Sequence, residues 1–337
     1  MIAAHKKLNA LWAQGRTFLG TEYALLGGAM TWVSERNLVS ALSNAGGFGV
    51  IACGAMTPDL LDIEIAETAA LTNKPFGVNL ITMHPQLDDL IDVCLRHAVG
   101  HIILAGGLPG LPSIKRIRDG GAKVICFAPT LALAKRIVRQ GADALVIEGA
   151  EAGGHIGPVS TSILAQEILP FIKEIPIFIA GGIGRGDTVL AYLELGAAGC
   201  QLGTLFACAN ESIAHDKFKK AFIRASARDA VPSVQLDPQF PVIPVRALQN
   251  DATREFQQIQ RDVIGAYERG EVDQTEAQLK IEHFWAGALR RAVIDGDVET
   301  GSLMAGQSVG MVKEEKPVAE IIAKLVEEAV DALAARQ

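Results

Sequence analysis

Eight short apolar runs recur between residues 23 and 202, and an amphipathic segment follows each of them. Short apolar runs bounded by glycine and polar residues are typical of buried parallel strands, and their alternation with helical segments predicts repeated β–α units. Eight such units in a row favour a closed α/β barrel, the (β/α)8 or TIM barrel, over an open doubly wound sheet. The predicted strands are residues 23–26, 50–52, 76–80, 101–104, 122–126, 144–147, 177–180 and 199–202.

Helical periodicity supports this count of strands. Residues 131–140 and 160–173 carry apolar side chains three and four positions apart with polar ones between them, as helices of an outer ring do. After residue 206 the sequence becomes polar and charged, with few strand-like runs. We therefore expect four parts: a helical lead-in over residues 1–20, the barrel over 21–206, a mainly helical cap or substrate subdomain over 207–307, and a C-terminal helix packed on the barrel within 308–337.

Composition excludes several classes of protein. Of the 337 residues, 49% are hydrophobic and 20% are charged, so the chain can bury a large core. A net charge of −7 supplies no general positive field for nucleic acid or an anionic membrane. No apolar run reaches the roughly 18–20 residues needed to span a bilayer, and residues 1–20 show no signal-peptide pattern, so we expect a cytoplasmic protein.

The cysteines give no sign of a disulfide framework or a metal site. Their number is odd, and they are scattered without any Cys-x-x-Cys pair. We expect them to be small buried residues and expect no bound metal, and Cys53 is the one to check for proximity to a ligand. The five are Cys53, Cys94, Cys126, Cys200 and Cys208.

His155 is the strongest candidate for chemistry. It follows the predicted strand 144–147 and lies among Gly153, Gly154 and Gly157, which would let a flat ligand approach the imidazole closely. In α/β barrels, catalytic groups come from the loops past the carboxyl ends of the strands. An ordinary pKa near 6.5 suits proton transfer at neutral pH. The alternative is a loop histidine that binds only backbone or water.

Two glycine loops follow the last two predicted strands. Residues 181–186 (GGIGRG) lead into a helix that starts near Asp187, and free backbone N–H groups at a helix N-terminus favour an anion. Gly203 and Thr204 follow the last strand. In barrels these two loops lie side by side and frequently bind phosphate, so we expect a phosphorylated ligand here rather than two ordinary turns. The GxGxxG spacing alone is weak, because a dinucleotide fingerprint needs an open sheet.

Asn79 is a polar residue at the end of an otherwise apolar strand. Its amide could bind the edge of a heteroaromatic ring at the barrel mouth, or it could be a turn or capping residue. The sequence does not separate these two interpretations.

Taken together, the sequence resembles the FMN-dependent family that contains nitronate monooxygenases of the 2-nitropropane dioxygenase type and the flavin-dependent enoyl-acyl-carrier-protein reductase II. The resemblance runs from about residue 26 to residue 311. The stretches that carry it are residues 28–33 (GAMTWV), 45–49 (AGGFG), 74–79 (KPFGVN), 151–155 (EAGGH), 180–183 (AGGI) and 201–204 (QLGT).

The resemblance implies an FMN site in which Met30 and Asn79 border the flavin ring and His155 faces the substrate. It also implies NAD(P)H as the electron donor. The loops at residues 181–182 and 203–204 would hold the phosphate. The implied cofactor-binding residues are Gly28, Met30, Asn79, Glu148, Gly153, Gly154, Ala180, Gly181, Gly182, Gln201, Gly203 and Thr204.

Within that family, residues 245–250 (VRALQN) and 301–307 (GSLMAGQ) look more like the reductase branch. The resemblance therefore favours an NAD(P)H-dependent enoyl reductase. A nitronate monooxygenase that uses O₂ and an FMN- or phosphometabolite-binding barrel without turnover are the alternatives. The expected partner is a small molecule or an acyl thioester, with no nucleic acid or membrane, and assembly as a homodimer is left open.

The sequence departs from the usual family pattern at three positions. The family usually carries Gln-Gly-Gly-Met where this chain has Gly27, Gly28, Ala29 and Met30, and it usually carries arginine where this chain has Leu205. Loss of the glutamine amide removes a polar group near the flavin, and alanine adopts positive φ less readily than glycine. Substrate preference could therefore differ from both reference activities.

Overall fold

The computed structural model describes residues 2–242, 244–284 and 287–336. Their strands form one eight-stranded sheet and one three-stranded sheet. The strands are β1 (Leu25–Gly27), β2 (Gly49–Ala52), β3 (Phe76–Ile81), β4 (His101–Ala105), β5 (Lys123–Phe127), β6 (Ala144–Glu148), β7 (Gly154–His155), β8 (Ile177–Ala180), β9 (Gly199–Leu202), β10 (Ala230–Pro232) and β11 (Val245–Leu248).

Helices alternate with the strands of the large sheet and dominate the rest of the chain. The α-helices are α1 (Ile2–Leu11), α2 (Ala13–Leu19), α3 (Arg36–Asn44), α4 (Pro58–Leu71), α5 (Leu87–Arg96), α6 (Leu111–Asp119), α7 (Leu131–Gln140), α8 (Thr161–Ile168), α9 (Gly186–Glu194), α10 (Thr204–Ala207), α11 (Asp216–Arg224), α12 (Asp251–Glu268), α13 (Gln274–His283), α14 (Ala288–Arg290) and α15 (Val318–Ala334). Short 3₁₀ turns cover Ala227–Asp229 and Gln307–Met311, and a π turn covers Arg291–Asp295.

The large sheet is a (β/α)8 barrel, as predicted. Its strands run in the order β1-β9-β8-β6-β5-β4-β3-β2, and all neighbouring pairs are parallel. A bridge between Leu26 and Phe48 closes the ring, with the Gly27 N–H donating to the Phe48 carbonyl over 2.9 Å. Each of the eight predicted strands is present, and each end agrees with the prediction to within two residues.

One predicted helix is shorter than expected. Helix α7 matches its predicted bounds, whereas α8 ends at Ile168 and not at residue 173. Pro170 explains the difference, because proline has no N–H to continue the helix. Helix α15 likewise starts only at Val318, after Pro317.

Aromatic side chains fill the N-terminal end of the barrel. Phe18, on α2, lies 5.1 Å from the His101 ring of β4 and 6.2 Å from the Phe178 ring of β8. These strands are not neighbours, so Phe18 must reach across the interior from below. Phe48 packs on the other side of His101 at 5.1 Å. The side chains of Phe48, His101 and Phe178 therefore mark the inward face of their strands.

The segment after β9 combines helices with two strands. Strand β11 pairs antiparallel with β10 on one side and with β7 on the other, so this segment meets the barrel at the C-terminal end of β6. It has a small core of its own, formed by Phe240, Phe256, Val263, Ala277 and Ile281. Ala286, which belongs to an Ala-Gly-Ala run in the predicted cap, lies outside the described residues.

Helix α15 closes the outer ring by packing on α9, and α1 packs against α15. The Gly186 N–H, at the start of α9, donates to the Glu328 carboxylate of α15 over 2.8 Å. Among the described residues, no helix has both the length and the apolar character needed to cross a membrane.

Candidate active site

The two glycine loops lie side by side at the C-terminal end of the barrel. Gly181 directly follows β8 and Thr204 begins α10 just after β9, and these two strands are neighbours. Gly181 and Gly182 have φ angles of +96° and +73°, which disfavour other residues. A Cβ at Gly182 would lie 3.0 Å from the Glu151 side chain. Both positions therefore require glycine, which leaves the backbone N–H groups of this loop without side-chain cover at the barrel mouth.

The loop after β1 completes this side of the mouth. The Gly28 N–H donates to the Leu202 carbonyl over 2.8 Å, and Met30 lies over Gly203, where a Cβ would be 3.4 Å from its sulfur. Ser34 fixes the turn, because its hydroxyl accepts from the Met30 N–H over 3.0 Å and donates to the Gly28 carbonyl over 2.9 Å. Gly28, Met30 and Gly203 thus meet at one point of the rim.

Thr204 is also held from the C-terminal segment. Its hydroxyl accepts a hydrogen bond from the Gly306 N–H over 3.0 Å. A hydroxyl has one proton to donate besides its acceptor sites, so Thr204 can still donate to an anion in the loop.

Two polar side chains face the barrel interior next to these loops. Glu148 of β6 and Gln201 of β9 each pair with Ala180 of β8. Directly paired residues of a parallel sheet point to the same face, and Ala180 is two residues after the inward-facing Phe178. Glu148, Ala180 and Gln201 therefore share the interior face near the barrel mouth.

Asn79 belongs to the same inner layer. It lies two residues after Gly77, where a Cβ would be 2.9 Å from the inward-facing Phe48 ring. Strand β3 continues past Asn79 to Ile81, so Asn79 is a strand residue, and the alternative of a turn or capping residue is wrong. Within the part of the chain that the structure describes, the side chains of Asn79, Glu148 and Gln201 have no hydrogen-bond partner. Three polar groups thus remain available to a ligand inside the mouth.

Glu148 differs from the other two because it can ionise. Glu148 is half-buried as a residue, and the surrounding protein removes most of the water from its carboxyl group. This loss of water raises the pKa of Glu148 to about 8. The carboxyl group is therefore mostly protonated at neutral pH and can donate a hydrogen bond.

His155 lies at the outer rim of the same mouth, on β7. Its side chain is exposed, and Val245 of β11 is its strand partner. Partial loss of water lowers the pKa of His155 below its ordinary value, so the imidazole is mostly neutral at pH 7. A neutral imidazole can accept a proton or donate one hydrogen bond, but it is not a standing positive charge.

The loop between β6 and β7 is fastened by residues that the sequence did not single out. The Glu151 carboxylate accepts hydrogen bonds from the Thr161 N–H over 2.8 Å and from the Thr161 hydroxyl over 2.9 Å. The backbone carbonyl of Glu151 accepts from the Gln307 N–H over 2.9 Å. Arg246 of β11, which is 8% exposed, donates from Nε to the Ala150 carbonyl over 2.9 Å. These bonds tie the His155 loop to distant parts of the chain.

Close packing also constrains Gly153 and Gly154. A Cβ at Gly153 would lie 2.5 Å from the Gly306 nitrogen, and Gly154 has a φ of +78° beside the Met304 sulfur. Position 153 therefore requires glycine because the C-terminal segment packs directly against it. This requirement holds whether or not Gly153 also contacts a ligand.

The three departures from the family pattern have distinct structural settings. At Gly27 a Cβ would lie 2.5 Å from the Leu42 side chain, so leucine occupies space that a larger residue would need. Ala29 is not in the left-handed region, where the non-glycine residues among those described are Trp32 and Ala98. Leu205 lines a shallow surface pocket beside Gly184.

The cysteines offer no nucleophile near neutral pH. All five are buried and unbridged, and burial raises the pKa of Cys53 to about 12. Cys53 directly follows β2 and so lies near the mouth. Because the thiolate is the reactive form of cysteine, the Cys53 thiol is unreactive at neutral pH.

The chain is similar in sequence and structure to known oxidoreductases. FabK from Thermotoga maritima is 36% identical, with a TM-score of 0.85 over 95% of this chain and 97% of that one. An octahydroindene-carboxyl-CoA dehydrogenase from Mycobacterium tuberculosis is 29% identical over 93% of this chain and 94% of its own length. A probable nitronate monooxygenase from Staphylococcus aureus is 27% identical over 88% and 92%.

The comparison with protein families gives the same result. The family described as nitronate monooxygenase matches residues 14–101 and 85–328, which together span the barrel and most of the C-terminal segment. The chain is therefore an oxidoreductase of the nitronate monooxygenase family, which includes FabK and whose members are flavoproteins.

Proposed function

We propose that the protein is an FMN-dependent, NAD(P)H-driven reductase of enoyl thioesters, similar to enoyl-acyl-carrier-protein reductase II. The observation that carries this proposal is the similarity to FabK, which extends over 95% of the chain at 36% identity. The dehydrogenase from Mycobacterium tuberculosis also acts, by its name, on a CoA derivative. The resemblance to enoyl-acyl-carrier-protein reductase II and the name of this dehydrogenase both favour acyl thioesters as the substrate class.

The residues at the mouth fit FMN. Gly181 and Gly182 have positive φ, and the backbone N–H groups of their loop with the Thr204 hydroxyl are suitable donors to a phosphate. Inside the mouth, Asn79, Glu148 and Gln201 are unpartnered polar groups that suit the edge of a heteroaromatic ring.

The chemistry that FMN supplies in such enzymes is hydride transfer, with NAD(P)H as the donor. Reduction of an enoyl thioester adds a hydride and a proton across the carbon–carbon double bond. We assign the proton to His155, which would deliver it to the α-carbon or donate a hydrogen bond to the thioester carbonyl. The loop bonds of Glu151 and Arg246 hold His155 at the rim, and the C-terminal segment beside β7 would restrict water.

Oxidation of nitronates is the second candidate, because the matched family bears that name. A nitronate is an anion, and a fixed positive charge would help to bind it. His155 is mostly neutral at pH 7, so it supplies no such charge.

Stopped-flow spectroscopy under anaerobic conditions tests the proposal. The purified protein is mixed separately with NADH, NADPH and propionate 3-nitronate, and the flavin absorbance is followed. We expect rapid bleaching by NADH or NADPH, and rapid return of the colour when a crotonyl thioester is added. Both crotonyl-CoA and crotonyl-acyl-carrier protein should be supplied, since they distinguish the two carriers.

The other outcomes are equally specific. Bleaching by the nitronate alone would identify a nitronate monooxygenase. Bound FMN that none of these compounds bleaches would indicate a binding protein, and a colourless protein that does not take up FMN would point to another phosphorylated ligand.

A further inference from the structure

The carboxyl group of Glu148 occupies an unusual position for an ionisable side chain. It ends β6 on the inward face of the barrel, level with Ala180 and Gln201 across the sheet. Among the described residues, nothing donates a hydrogen bond to it. A buried carboxylate without donors or a cation is costly, and proteins normally avoid it.

The elements around Glu148 supply no compensating charge. On α8, which packs against β6, Glu167 is exposed to solvent. On neighbouring β5, Lys123 lies at the opposite end of the barrel and Cys126 pairs with Leu145, which is on the other face of β6. The next strands, β8 and β9, contribute Cys200 as their titratable side chain, and it alternates with the inward-facing Gln201.

The loop that follows β6 carries two more titratable groups. The Glu151 carboxylate already accepts two hydrogen bonds from Thr161, so it is committed to that contact. His155 is exposed at the rim and mostly neutral. Neither group therefore supplies a positive charge to Glu148 at neutral pH.

We propose that Glu148 binds the flavin as a neutral carboxylic acid, donating a hydrogen bond to an acceptor atom of the cofactor. The proposal rests on the FMN site of the proposed function. A carboxylate can only accept hydrogen bonds, whereas the protonated acid has one proton to donate. Deprotonation would remove the donor and place a negative charge inside the site. Flavin affinity should therefore depend on the protonation of this one side chain.

Measurement of FMN affinity against pH tests the proposal. Flavin-free wild-type protein and Glu148→Gln are titrated with FMN between about pH 6.5 and 9.5, and binding is followed by flavin fluorescence. Glutamine has nearly the same shape and keeps a donor, but it does not titrate. We expect similar affinities at about pH 6.5, and above pH 8 a weakening of the wild type alone that approaches about tenfold per pH unit.

Two controls isolate Glu148 from other effects. Glu167→Gln changes an exposed glutamate on the helix packed against the same strand and should follow the wild type at every pH. Ionisations of FMN itself affect all variants equally. The effect of Glu148 is therefore measured as the ratio of the wild-type FMN affinity to the Glu148→Gln affinity at each pH. Independently of FMN, the infrared band of a protonated carboxyl group should be present in the wild type near pH 7 and absent in Glu148→Gln.

Three results would overturn the proposal. One is an affinity ratio that stays constant with pH. Another is loss of FMN binding in a natively folded Glu148→Gln protein at every pH, because the ionised carboxylate would then be the binding form. A wild type that binds no FMN at any pH would remove the proposed cofactor as well, whereas the first two results leave the proposed function intact.

Discussion

At the scale of single residues, His155 is the group on which turnover should depend most. If it handles a proton, His155→Ala should lower kcat about 10²- to 10⁴-fold with every active substrate. FMN content should not change, because the phosphate loops belong to other strands. Steady-state kinetics and the flavin spectrum of the purified variant measure the two effects.

The pH dependence of kcat shows whether His155 donates or accepts the proton. The pKa of His155 is below its ordinary value, so the protonated form accumulates only on acidification. If His155 donates the proton, kcat should rise as the pH falls toward that pKa, and this limb should be missing in His155→Gln. His5→Ala, at an exposed position of α1, is the matched control. Unchanged turnover in His155→Ala with FMN bound would reduce His155 to a structural loop residue.

Some candidate site residues could be proposed from the sequence because their signals are local. The glycines around His155 and the Gly-Thr pair after β9 stand beside the strands that place them. The raised pKa of Glu148 could not be predicted from the sequence, because it results from closure of the barrel around that side chain. Arg246 was missed as a site residue because its bond to Ala150 joins positions 96 residues apart.

At the scale of elements, the three-stranded sheet determines where the His155 loop lies. The side chain of Arg246 links this sheet to the loop by its hydrogen bond to the Ala150 carbonyl. Arg246→Met keeps most of the apolar stem but removes the bonds to the carbonyls of Ala150 and Ala230. We expect a loss of about 1–3 kcal/mol in the free energy of unfolding, and a lower kcat. The FMN Kd should change little. Urea denaturation, kinetics and FMN titration measure these three quantities.

An exposed arginine supplies the control for this experiment. Arg254→Met, on α12, removes a surface ion pair with Asp251 and should leave stability and kcat nearly unchanged. A fall in kcat that is matched by an equal loss of FMN affinity would contradict a positioning role for Arg246. It would show instead that the loop contributes directly to the cofactor site.

The three-stranded sheet could not be predicted from sequence. Its strands contain two, three and four residues, too few to show alternating polarity. The barrel strands could be predicted because each is an apolar run inside a repeated β–α unit. Helix α8 was predicted too long because its apolar spacing continued past Pro170, and the missing N–H outweighs that spacing.

At the scale of the whole molecule, the contact between α9 and α15 fastens the C-terminal helix to the barrel. The Gly186 N–H has no partner within α9 and donates to the Glu328 carboxylate, which also lies 3.8 Å from Arg185. We expect Glu328→Ala to lower the free energy of unfolding by about 1–2 kcal/mol. Glu327→Ala, one position earlier and exposed, should change it by less than about 0.5 kcal/mol. Equal losses in the two variants, measured by urea denaturation, would rule out this capping role.

The pairing of β7 with β11 also sets an order of events during synthesis. All eight barrel strands, which end at Leu202, are synthesised before residues 245–248. Until then His155 lacks its strand partner Val245, and Thr204 lacks the Gly306 N–H. A nascent chain can therefore close its barrel while its mouth is still unfinished. Translation must pass residue 306 before the site has all its parts.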